Sequence, residues 1–281
     1  MDPFVFAAVL FAAACHAGWN AVIKVGLEPF AATALIAVGA GIVALPLVPV
    51  VGVPAAAAWP WLIASVILHL LYYIGLIEAY RAGDMGQVYP LARGSAPLMT
   101  ATAGAWLIGE RLGAAGWSGI VVLACGIFLL SARGGRELVH LEGRAVGFSL
   151  LTAVTICGYS LVDGIGARVS GNAHAYAVML FLLDGVAMLF LALVRLRANL
   201  VTAMAAYWKS GLAGGALSFL AYWIAIWAMT VAPIAIVAAL RETSVLFGAL
   251  IAVLILKEPL RLTRIVAAVM IVAGLALIRL Q

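Results

Sequence analysis

Ten apolar runs separated by short polar turns leave this chain no means of burying its hydrophobic residues in a water-soluble core. Each run is about 20 residues long, the length an α-helix needs to cross a hydrocarbon layer roughly 30 Å thick. The runs are Phe4–Val25, Pro29–Val51, Trp59–Arg81, Met85–Ile108, Gly113–Ala132, Ala145–Ala167, His174–Val194, Ala205–Thr230, Pro233–Leu256 and Leu262–Leu280. With 67% hydrophobic and 10% charged residues, the chain lies far from soluble domains, in which about 25% of residues are charged. No connector is long enough to hold a soluble domain, so function must reside in the helices. The first run lacks a basic leader segment and is too long for a cleaved signal, so it reads as a retained helix.

The second half repeats the first. Arg93 and Arg241 lie 148 residues apart, and the same offset carries Glu110 to Glu258, Leu112 to Leu260 and Gly126 to Gly274. Gly18-Trp19-Asn20 matches Gly158-Tyr159-Ser160 at an offset of 140. Five spans per repeat is an odd number, so the repeats enter the membrane from opposite sides, an arrangement common in secondary transporters. The expected fold is all-α and polytopic, with ten transmembrane helices in two inverted five-helix repeats. The first repeat is placed at residues 1–135, a polar connector at 136–144 and the second repeat at 145–281.

The net charge of +5 does not point to nucleic acid, because the Lys and Arg residues gather at span ends and form no basic tract. Lys24, Arg81, Arg133, Arg136, Arg144, Arg195, Arg197, Lys209, Lys257, Arg261 and Arg264 all follow odd-numbered spans. The positive-inside rule therefore places these loops in the cytoplasm and both termini outside. Cys15, Cys125 and Cys157 fall within spans without metal-ligand spacing and read as core side chains, so neither metal nor cofactor is expected.

A cation inside an apolar span is costly, and two equivalent spans carry one. Arg93 and Arg241 each sit about eight residues inside their spans, roughly 12 Å deep at 1.5 Å per residue. Two guanidiniums so placed either hold a substrate carboxylate or phosphonate or are locked structurally by carboxylates. Pro90 and Pro97 flank Arg93 and predict a bent fourth helix lining a cavity. His16, Asn20 and Lys24 form a polar stripe on the first span, with Trp19 beside it. His69, Tyr72, Tyr73, Leu76 and Tyr80 share a face of the third span, with Glu78 on its other side near Arg81. The eighth span offers Tyr222, Trp223 and Trp227, and Asp163, Asp184 and Glu242 are the remaining acids within spans. No nucleotide-binding or hydrolase motif is present, so neither an enzyme nor an ATP-driven pump is expected.

The turns Gly109-Glu110-Arg111-Leu112 and Lys257-Glu258-Pro259-Leu260, together with Gly18-Trp19-Asn20, Gly126-Ile127 and Gly274-Leu275, resemble the drug/metabolite transporter superfamily, in particular its ten-helix EamA type. Val88–Leu98 with the His16–Asn20 segment is similar to a subgroup associated with phosphonate utilisation. The resemblance implies a multi-pass secondary exporter or exchanger with both termini in the cytoplasm, against the charge count. Small four-helix relatives that expel lipophilic cations use a glutamate in their first helix, where this chain has His16 and Lys24.

The reading is an inner-membrane secondary transporter of a small anionic or zwitterionic metabolite, such as an amino acid or organophosphonate, working by alternating access. Its site is expected between spans one, three, four, six, eight and nine. Arg93, Arg241, His16, Trp19, Asn20, Tyr73, Tyr159, Tyr222 and Trp223 are expected to bind substrate, and Glu78, Asp163, Glu242, Pro90 and Pro97 to gate or couple. The expected partners are the bilayer, the substrate and a coupling proton, for a monomer or homodimer. The alternatives are a lipophilic-cation or drug efflux transporter, a membrane-embedded lipid-modifying enzyme and a non-transporting scaffold.

Overall fold

The computed structural model describes residues 1–22, 28–83, 85–131, 142–196, 205–254 and 262–281. Every regular element among them is helical. The ten spans appear as α1 (Pro3–Val22), α2 (Pro29–Ala44), α3 (Trp59–Ala82), α4 (Met85–Leu107), α5 (Ala114–Ser131), α6 (Gly143–Val169), α7 (Ala173–Leu196), α8 (Trp208–Val231), a ninth span in two pieces, α9a (Ile234–Arg241) and α9b (Ser244–Leu254), and α10 (Leu262–Arg279). The α2 span continues through a 3₁₀ turn at Leu45–Leu47 and a last turn at Val48–Val51. Lys24, the Lys257–Leu260 turn and most of the connector lie outside the described residues.

The starts of several helices are fixed by carboxylates or amides that satisfy otherwise unpaired backbone N–H groups. Asp2 accepts from Phe4 N at 2.8 Å, Glu28 from Ala31 N at 3.3 Å, and Asn172 from His174 N at 3.0 Å. Glu110 does the same for α9a from a distance in sequence. It accepts from Ile234 N at 2.7 Å and Ala235 N at 3.1 Å. Gly109, in the left-handed region at φ 67, turns the chain so that Glu110 follows directly.

Many large apolar side chains, among them Trp106, Leu107, Ile63, Phe190 and Val269, face outward. Such a surface is unfit for water and fits lipid. Eight helical segments among the described residues are long and apolar enough to cross a membrane, and Ala114–Leu130 is a shorter apolar helix. The chain is a multi-pass membrane protein. Cys15 and Cys157 are buried as expected, whereas Cys125 is exposed on the outer face.

The repeats are related by a pseudo-twofold that can be read in the packing. α3 lies on α6 as α8 lies on α1, while α5 pairs with α10 and α2 with α7. At the α5–α10 crossing, a Cβ on Gly119 would stand 2.8 Å from the Gly274 carbonyl oxygen, and one on Gly126 3.0 Å from that of Ala267. The 148-residue offset interchanges these two contacts. Without hydrophobic drive between helices in lipid, such close backbone approach supplies the association.

α4 runs unbroken from Met85 to Leu107 with Pro90 and Pro97 inside it, and a break falls in the ninth span. At the break, Glu242 N and Thr243 N bond to Ala239 and Leu240 carbonyls, each at 3.1 Å, three residues back rather than four. Thr243 Oγ1 also donates to Leu240 O at 2.6 Å, a side-chain competitor for the helical ladder. Neither proline nor glycine is involved.

Overpacking the α5–α10 seam should be felt directly. Gly274→Val is expected to destabilise the protein by about 1–3 kcal/mol, while Gly143→Val, where a Cβ would meet open space, is tolerated. Thermal unfolding of the two variants in detergent checks this.

Candidate functional site

The interior holds a cavity enclosing about 690 Å³ of non-atom space, its open mouth included. Its wall is contributed by seven spans: His16 and Trp19 from α1, Thr33, Ile36 and Ala37 from α2, and His69, Tyr72 and Tyr73 from α3. Tyr159 of α6, Leu180, Phe181 and Asp184 of α7, Ser218 and Tyr222 of α8, and Arg241 at the end of α9a complete it. The α1 residues lie in its last turns and the α2 residues near its start.

Of the residues expected to bind substrate, His16, Trp19, Tyr73, Tyr159, Tyr222 and Arg241 come together on this wall. Arg93 does not reach it. Its guanidinium is buried and bound to Glu242: Nη1 donates to Oε1 at 3.2 Å, and Nε lies 3.1 Å from Oε2. Arg93 Nη2 also meets His16 Nε2. Asn20 Nδ2 turns back on its own helix, donating to His16 O at 2.9 Å, and Trp223 Nε1 donates to His174 Nδ1 at 2.8 Å away from the wall. Spans two and seven, absent from the expected set, enter because Gly41 and Gly185 let them cross closely, with a Gly185 Cβ falling 3.2 Å from Gly41 Cα. Among the described residues, α4 contributes nothing to the wall.

Two arginines and one glutamate form the charged centre, and the pairing among them decides which charge remains. Glu242 follows Arg241 in sequence, yet it is Arg93, from the other repeat, that holds it. Among the described residues no carboxylate stands within ion-pair distance of Arg241. Its guanidinium lies over the Tyr222 ring at 4.3 Å, a cation–π contact, with Tyr159 interacting alongside. Tyr222 is itself held from behind: its hydroxyl donates to Asp163 Oδ2 at 2.5 Å, and Tyr176 donates to Oδ1 at 2.9 Å. Asp163, expected to gate or couple, is thus engaged by phenols off the wall.

His16 faces two groups that can only donate. Trp19 Nε1 approaches its Nδ1 at 3.2 Å, and Arg93 approaches its Nε2. A neutral imidazole accepts at one nitrogen and donates at the other, so it can satisfy only one of them, and its own N–H is left short of an acceptor. His69 Nδ1 bonds to Ser65 O at 2.9 Å, and its ring stacks on Tyr159 at 4.4 Å between centroids. Asp184, which sequence reading noted only as an acid within a span, reaches the wall with Tyr73 donating to its Oδ2 at 2.9 Å. It joins His69, Tyr72, Thr33 and Ser218 as polar additions to the expected site. The three- and four-residue steps from His69 to Tyr72 and Tyr73 on α3 were the available signal for the α3 pair. No comparable spacing pointed to Asp184.

One end of the bundle is tied by polar contacts. Glu110 caps α9a and pairs with Arg168 at 3.3 Å, and Arg168 also donates to Met229 O at 2.9 Å and Ala232 O at 3.1 Å. Four helix ends, those of α4, α6, α8 and α9a, are tied there. Glu78, also expected to gate, lies at the opposite end in exposed pairs with Arg81 at 2.7 Å and Arg144 at 3.3 Å. Among the described residues no cluster suited to a metal ion occurs.

Removing either member of the Arg93–Glu242 pair strands a buried charge, a loss of about 3–5 kcal/mol. Arg93→Met and Glu242→Met should each lower Tm strongly, while the double variant lies closer to wild type than either single one. Thermal unfolding of all four proteins tests this, since simply additive losses would mean the groups are uncoupled.

A solved structure titled "Crystal structure of protein" shares this fold, with a TM-score of 0.74 over 99% of this chain and 96% of its own, at 19% sequence identity. No curated protein matches the chain. A sequence model of the EamA-like transporter family matches twice, at residues 4–132 and 144–280, one match per repeat. The chain belongs to the EamA-like transporter family.

Proposed function

We propose that the protein is a secondary active transporter, exporting or exchanging a small anionic or zwitterionic metabolite such as an amino acid or organophosphonate across the cell inner membrane. Family membership makes it a drug/metabolite-type transporter. The substrate reading rests on one observation: Arg241 is the guanidinium on the cavity wall, and the carboxylate nearest to it in sequence is taken by Arg93. A buried cation without a carboxylate partner is costly, and an anionic ligand removes that cost. Tyr72, Tyr73, Tyr159 and Tyr222 supply apolar faces and hydroxyls on the same wall.

Alternating access is favoured by the two repeats and by polar ties at both ends of the bundle, Glu110 with Arg168 at one and Glu78 with Arg81 and Arg144 at the other. Two inverted repeats around a central site let the same helices close one end as they open the other. Efflux of lipophilic cations fits less well, because α1 presents a histidine and a tryptophan to the cavity rather than an acid.

Proteoliposomes loaded with amino acids, organophosphonates and small organic acids test this by counterflow, with and without an imposed proton gradient. Arg241→Gln should raise the apparent KM for the transported acid at least about 30-fold, the cost of losing one partner of a buried charged contact. The lipid-facing variant Trp106→Phe should transport as wild type does. Transport of none of these compounds by the wild type, or unchanged transport by Arg241→Gln, would refute the reading.

A further inference from the structure

The cavity wall carries a second charged group whose bonding is incomplete. Asp184 is 4% exposed, and its Oδ2 accepts from the Tyr73 hydroxyl at 2.9 Å. Its other oxygen, Oδ1, is buried without a hydrogen-bond partner among the described residues. A carboxylate in this position can accept several hydrogen bonds and has one. Among the described residues no Lys, Arg or His stands within ion-pair distance of it, Arg241 included. One cavity is therefore lined by a cation and an anion that form no ion pair with each other.

Opposite charges sharing a low-dielectric cavity without touching attract strongly, and collapse onto one another unless packing holds them apart. Here packing does so. Arg241 is fixed at the end of α9a over Tyr222, and Asp184 is fixed in the middle of α7 by Tyr73. A ligand bearing one charge would satisfy one group and leave the other. A ligand bearing both satisfies both.

We propose that Asp184 is the ammonium-binding residue of this site, and that the substrate is a single small molecule carrying an acid group and an amine. The acid lies on Arg241 and the amine on the Asp184 carboxylate, with Tyr73 orienting that carboxylate. This rests on the reading of Arg241 as the acid-binding group. It adds that the amine is recognised, so the molecule without it is a poor ligand. Asp184 is then a specificity-determining residue rather than a structural one. The tyrosine and histidine rings between the poles bound the spacer that joins the two ends of the ligand.

The test uses matched pairs that differ only in the amine: L-alanine with propionate, L-phenylalanine with 3-phenylpropionate, and L-aspartate with succinate. Binding to the purified full-length protein is measured by isothermal titration, and transport by counterflow in liposomes. In at least one pair the wild type should prefer the amine-bearing member by about 30-fold or more, the cost of leaving a buried charge unpartnered. Asp184→Asn should erase that preference while the amine-free acid binds unchanged. Tyr73→Phe, which keeps the charge, should retain the preference. Should Asp184→Asn fail to fold, the wild-type pairs and Asp184→Glu decide the matter. Equal affinity of the wild type for both members of every pair overturns the assignment, as does a preference that survives in Asp184→Asn. An effect of Asp184→Asn on the pH dependence of uptake alone also overturns it and makes the residue a proton site. If acids bind without discrimination, the transporter reading stands and only this inference falls. If no acid in any pair or in the wider anion panel binds, both fall together.

Discussion

A guanidinium buried among membrane helices must be neutralised or it will not stay there, and the Arg93–Glu242 pair meets that demand by joining the two repeats. The pairing follows from helix geometry. Adjacent residues on a helix point roughly 100° apart, so Arg241 and Glu242 cannot easily serve each other while both face the same neighbour. Glu242 turns to α4 and Arg241 turns to the cavity. The loosening of the ladder at Glu242 and Thr243, where the backbone bonds shorten to three-residue spacing, lies at the point where these two directions diverge. Much of the site is downstream of that choice. The stacking of Tyr222 on Arg241, the anchoring of Tyr222 by Asp163 and the crowding of His16 all presuppose it.

The frame is symmetric and the site is not. The α5–α10 seam repeats its own contact across the pseudo-twofold, and Trp19 and Tyr159, equivalent at the 140-residue offset, both reach the wall. The equivalent of Glu242 is Gly94, which packs so closely that a Cβ there would stand 2.9 Å from the Phe128 ring. No acid fits at that position without moving Phe128. At these positions the first repeat thus has an arginine and no glutamate and the second has both, so Arg93, Arg241 and Glu242 together hold two cations and one anion. A fully symmetric pair would have cancelled both arginines or neither.

Hydropathy and span length made the ten helices legible to within a few residues, because crossing a hydrocarbon layer fixes both properties locally. The repeat was legible because Arg, Glu and Gly are not interchangeable with the aliphatics around them. The aromatic and histidine faces of α1 and α3 were legible from helical spacing. Which arginine would face the cavity was not, since Arg93 and Arg241 are equivalent in sequence and differ only through a glutamate that either could hold. Asp184 was visible only as an acid within a span, as its place on the wall depends on the crossing of α2 and α7 at Gly41 and Gly185. The break in the ninth span carried no sequence signal, because a buried threonine and glutamate loosen the ladder there without any proline or glycine.

α9a then connects the two halves of the design. It is eight residues long, about 12 Å at 1.5 Å per residue. Its first turn is capped by Glu110 and its last residue is Arg241. All of its residues are buried, so it can shift only as a packed rod. In the proposed alternating access, opening that end requires Glu110 to leave two backbone N–H groups and Arg168. The same movement displaces the guanidinium at the other end of the rod relative to Tyr222 and the cavity. A group bound at Arg241 and the contacts that close the far end are therefore held by one short element. In the proposed transport cycle, a movement of this element is what would couple occupancy at Arg241 to the Glu110 cap.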